Sequence, residues 1–123
     1  MTKYTQGPGY DAVFETRGDY LLVRMTGRLA GDCLAGGVNI WDPVARLCQQ
    51  HQCYNVLVDA KELEVDLRLY HVVKIALDLS IFKSLPMRVV LVTRPEAIRP
   101  DHAFEAAAAQ EGVAVAVFTD FDE

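Results

Sequence analysis

The stretch Asn55-Val56-Leu57-Val58-Asp59 limits what this chain can fold into more than any other. Three consecutive apolar residues, two of them β-branched, stop at a carboxylate. A short strand buried on both faces reads this way when its C-terminal end meets water. An acidic connection follows, Ala60-Lys61-Glu62-Leu63-Glu64-Val65-Asp66-Leu67, and a helical pattern begins directly after it. A strand end facing a helix start is where folds that alternate the two elements place their sites.

The rest of the chain supplies the partners of that strand. Residues 1 to about 10 are polar and carry Gly7-Pro8-Gly9, which reads as a loose leader before a single domain over 11–123. Ala12–Thr16 and Tyr20–Thr26 flank Arg17-Gly18-Asp19, the pattern of a β-hairpin with Gly18 in its turn. Leu21, Val23 and Met25 alternate with Leu22, Arg24 and Thr26, and Gly27 is expected to end the second strand. From Leu29 to Gln52 the residues Leu34, Val38, Trp41, Ala45 and Cys48 fall on one helical face. Pro43 either kinks one long helix or occupies the first turn of a helix capped by Asp42; the favoured reading is a helix over Asp42–Gln50 with a weaker helical stretch before it.

Asp66 is the expected N-cap of a helix over Leu67–Ser80, with Leu69, Val72, Val73, Ala76, Leu77 and Ser80 as its buried stripe. Arg88–Thr93, introduced by Pro86, is a second buried strand. Residues 94–100 read as a loop, and Asp101 caps a helix through Glu111 that Gly112 terminates. Val113–Phe118 is the last strand, and residues 119–123 look like the cap of a further helix. Strands joined through helices run parallel with right-handed crossovers. The expected fold is therefore α/β: a mixed sheet of four to five strands packed with three to four helices.

Composition removes several functional classes. The formal net charge of −5 opposes a nucleic-acid surface or docking on anionic lipid, since no Lys/Arg cluster offsets it. No apolar run approaches the roughly 18–20 residues that span a bilayer, and the first residues lack a signal-peptide core. Three cysteines suit reduced thiols, so a cytoplasmic location is expected.

From about Tyr20 to Asp122 the chain resembles the STAS-like domains, the fold of bacterial anti-sigma-factor antagonists and sulfate-transporter tails. The resemblance is carried by Thr26-Gly27, by Val56-Leu57-Val58-Asp59 with its loop and helix, by Arg88–Val92, and by Glu111–Asp120. It implies a non-catalytic regulatory fold that recognises other proteins. The family's phosphorylatable serine would fall within Glu64–Arg68, where this chain has neither Ser nor Thr. Asp66 in that stretch could imitate a phosphate at the helix start; a simple cap is the plainer account.

Other constellations are weaker. Asp59 and Thr93 at neighbouring strand ends resemble a receiver-type phosphoacceptor and its sensor, but the acidic pair and the lysine that chemistry needs are missing. Cys48, His51 and Cys53 are one ligand short of a closed zinc site, and the helix face already claims Cys48. Glu62, Glu64 and Asp66 read as a solvated loop, His71 and His102 as capping or surface groups. Neither a metal nor a cofactor is implied.

The expected contact surface for another protein comprises Asp59, Glu62, Glu64, Asp66 and Arg68, around the strand end and the helix start. A pocket lined by Trp41, Leu69, Val73 and Phe104, taking a small molecule or lipid, is the alternative. Homodimerisation through the sheet near Leu22 or the hairpin edge is a third expectation.

Overall fold

The computed structural model of the chain describes residues 2–6, 9–30, 39–82, 87–95 and 103–119. They build an α/β fold whose sheet order repeats the chain order: β1 (Thr2–Gln6), β2 (Tyr10–Arg17), β3 (Tyr20–Ala30), β4 (Asn55–Asp66), β5 (Arg88–Thr93) and β6 (Ala114–Phe118). The first three strands are antiparallel, and β3 to β6 run parallel. Three helices make the crossovers, α1 (Asp42–His51), α2 (Leu69–Leu77) and α3 (Ala103–Gln110), with a 3-10 turn over Asp78–Phe82 extending α2.

When every parallel strand adds on the same side through a right-handed crossover, the helices all land on one face. The core has that composition. Leu21, Val23, Val56, Val58, Ala60 and Val89 of the sheet pack with Val44, Ala45 and Cys48 of α1, Ile75 and Ala76 of α2, and Ala108 of α3. The alternate strand residues, among them Leu22, Leu57 and Val90, occupy the opposite face. Leu22 is 5% exposed there, so it is not itself an open apolar position of that face.

Several boundaries differ from expectation, each for an identifiable reason. The leader is a strand: Thr2–Gln6 pairs antiparallel with Asp11–Glu15 and brings the sheet to six strands. Its composition is polar because an edge strand is held by its backbone ladder and needs no apolar stripe. Gly27 does not end β3, which continues through Leu29 and Ala30, residues expected to begin a helical segment. Leu34, Val38, Pro86, Asp101, His102 and 120–123, which carried parts of the reading above, lie outside the described residues.

α1 begins where Pro43 implied, but its cap is Trp41, whose N–H donates to Asn39 Oδ1 at 2.9 Å, and Asp42 instead pairs with Arg46 at 3.1 Å. Asp66 closes β4, and the N-cap of α2 is Arg68, whose backbone N–H donates to His71 Nδ1 at 3.1 Å. The inward residues of α2 and its 3-10 extension are Ile75, Ala76 and Leu79, with Val72 half-buried beside them; Leu69 and Leu77, expected in the buried stripe, are 45% and 44% exposed. Arg88–Thr93 and the close of α3 at Gly112 follow the expected pattern.

Candidate functional site

The central strand does not stop at Asp59. β4 runs on to Asp66 beside β3, which is one residue shorter, and together they project past the end of β5, whose last pairing is Thr93 with Ala60. The apolar pattern of β4 explains how. Val56, Val58 and Ala60 face the helices, and so do Leu63 and Val65, but the step between the two sets is three rather than two. A β-bulge at Lys61 absorbs the extra residue: Arg24 pairs with Asp59, whereas Thr26 pairs with Glu62. Both backbone groups of the inserted residue are met by side chains. The Lys61 N–H donates to Asp59 Oδ1 at 3.3 Å, and the Lys61 carbonyl accepts from Arg94 Nε at 2.8 Å.

That phase shift places four of the five expected contact residues on one surface. Asp59, Glu62, Glu64 and Asp66 all lie on the face away from the helices, because residues two apart on a strand share a face and the bulge adds Asp59 to the set. Alternation thus gathers these carboxylates on a strand, where a solvated loop was expected. Arg24 stands opposite Asp59 and Arg28 opposite Glu64, and Arg28 also forms an ion pair with Asp66. Glu62, Glu64, Asp66 and Arg28 are exposed. Arg68, the fifth residue, belongs to the α2 cap, where the leading backbone N–H is already taken by His71.

Inward from the same projecting strands lies an apolar cavity of about 130 Å³. Leu29 of β3 with Leu63 and Val65 of β4 form one wall, Val72 and Ile75 of α2 another, and Trp41 and Phe104 close the side toward α1 and α3. Trp41 is fixed by its Nε1–H, which donates to the Ile75 carbonyl at 2.9 Å. The Trp41 and Phe104 rings are near-parallel, 10° apart, with centroids 6.5 Å from each other. Of the four expected pocket residues, Trp41 and Phe104 line this cavity; Leu69 is on the solvent side of α2, and Val73 is not part of the wall.

The remaining candidates separate. Asp59 and Thr93 lie on opposite faces: Thr93 shares the register position of Ala60 and lines the cavity, while Asp59 faces away and holds the bulge. The geometry of a phosphoacceptor with its sensor is not formed. Cys48 is buried on α1, and desolvation pushes its thiol up to about 12, so it stays protonated at neutral pH. Among the described residues no three His, Cys, Asp or Glu side chains gather closely enough to hold a metal ion, and no helix is long and apolar enough to cross a membrane.

Sequence reasoning missed the bulge, and so placed the carboxylates on a loop and gave the cavity a wall through Leu69. The signal was present as an apolar register that changes from even to odd numbers between Ala60 and Leu63. No protein-family model matches the chain, and no curated protein matches its sequence.

Proposed function

We propose that this chain is a non-catalytic, STAS-like cytoplasmic domain that recognises another protein through the helix-free face of its sheet. The observation carrying this reading is the bulge-aligned row Asp59, Glu62, Glu64 and Asp66, adjoining the half-buried apolar positions Leu57, Val90, Ala116 and Phe118 on the same face. An apolar centre beside a charged border is the arrangement that stable protein contacts use, the first for affinity and the second for orientation. Groups that chemistry would need are occupied structurally: Asp59 by the bulge, His71 by the α2 cap and Cys48 by the core.

A predominantly acidic border selects a basic partner surface and makes association weaken with salt. The test is affinity capture with the intact chain and with Glu62→Lys/Glu64→Lys. A partner held by the native chain and lost by the doubly reversed one supports the reading. Capture unaffected by the reversal, or by raising ionic strength severalfold, overturns it. Solution mass measured across concentrations identifies the case in which the partner is a second copy.

A further inference from the structure

We infer that the cavity between β3, β4, α2 and α3 is a binding site for a neutral, single-ring apolar molecule. This is independent of recognition at the opposite face of the sheet. The walls set the chemistry. Among the described residues lining the cavity the polar side chains are Thr93 and Glu105, and none carries a positive charge. Against these described residues a carboxylate or phosphate group would meet a glutamate and no counter-charge, which the desolvation of a charge opposes.

Size sets the rest. At about 130 Å³ the space is far below the roughly 300–1,000 Å³ of sites for drug-sized ligands, and close to the ~150 Å³ apolar cavities that take up benzene. An extended acyl chain is too large. Shape agrees with size, since the near-parallel Trp41 and Phe104 rings offer flat walls that favour a flat guest. The site also lies where folds of this kind bind ligands, at the carboxyl end of the parallel strand β5, against the part of β4 that projects past it. The projecting β3–β4 pair supplies one wall of it, so the bulge that aligns the outer carboxylates also holds Leu63 and Val65 in the cavity.

Trp41 is the chain's single tryptophan and part of the wall, so its indole resonance and emission report on the cavity directly. The intact chain is titrated separately with toluene, benzoate and octanoate. Toluene is expected to shift the Trp41 signals saturably, half-saturating near or below about 1 mM. At ten times that concentration it raises Tm by about 5 °C. Benzoate and octanoate shift neither. Val72→Phe, which fills the space from α2, is expected to abolish the toluene response while retaining the native circular dichroism. If that variant does not fold, Ala60→Val narrows the floor from the sheet instead. Absence of a saturable toluene response overturns the inference, as does tighter binding of octanoate or benzoate, or an unchanged response in the folded filled variant.

Discussion

Gly27 holds a position no other residue could occupy without moving the main chain. Its φ is +95°, and an added Cβ would stand 2.7 Å from the Gly9 carbonyl oxygen and 3.0 Å from the Tyr10 Cα, both backbone atoms. The Arg28 N–H donates to that same carbonyl at 2.8 Å, so the close approach locks the start of β2 against β3. Gly18, in the hairpin turn, has φ +63° but nothing within 4 Å of the Cβ position. The pair separates conformational strain from collision. Gly18→Ala should cost about 1–2 kcal/mol, the penalty for a left-handed backbone alone. Gly27→Ala adds a backbone clash and should cost about 3 kcal/mol or more. Urea unfolding of both variants checks the ordering, and equal losses would mean that the Gly9–Gly27 contact yields easily.

At the level of elements, what the sequence disclosed and what it concealed follow from how far each signal reaches. Helix α1, strand β5 and the Gly112 end of α3 were legible because their cues are local: Pro43, an unbroken apolar run and a terminating glycine. Strand β4 was half legible. Its first five residues read plainly, but the shift of apolar phase after Ala60 resembles the end of a strand unless the partner is known. Only pairing with the long β3 shows that the shift is a bulge. The same error displaced the start of α2. The outward carboxylates were named correctly and given the wrong element. The cavity was located by Trp41 and Phe104 but assigned a wall through Leu69 that depended on the misplaced stripe. Deletions test the bulge itself. Removing Lys61 leaves Asp59 and Glu62 outward and Ala60 and Leu63 inward, so the protein should fold with a loss of about 1 kcal/mol, mainly the bonds to Asp59 and Arg94. Removing Glu64 turns Val65 outward and Asp66 into the cavity, which should cost more than about 3 kcal/mol. Circular dichroism with urea titration reads both, and a Lys61 deletion as damaging as the Glu64 deletion would contradict the assigned register.

For the whole molecule, a sheet strung in chain order with its helices on one side has two unlike faces, and the same residue type on each face should do unlike work. Val89 and Val90 are neighbours on β5 that test this directly. Val89 is 2% exposed among the helices, whereas Val90 is half-buried on the other face, paired with Leu57 and Ala116. Truncating Val89 to alanine removes two methyl-sized groups from a closed core and should cost about 2 kcal/mol, part of it for the cavity left behind. The same truncation at Val90 removes less buried area, and its surroundings are filled by solvent, so about 1 kcal/mol or less is expected. Affinity should run the opposite way. If the helix-free face is the recognition surface, Val90→Ala weakens partner capture several-fold while Val89→Ala leaves it intact. Stability and capture measured on the two variants therefore separate a binding face from a merely exposed one: a partner insensitive to Val90→Ala would have to bind elsewhere, with the bare sheet face left as surface alone.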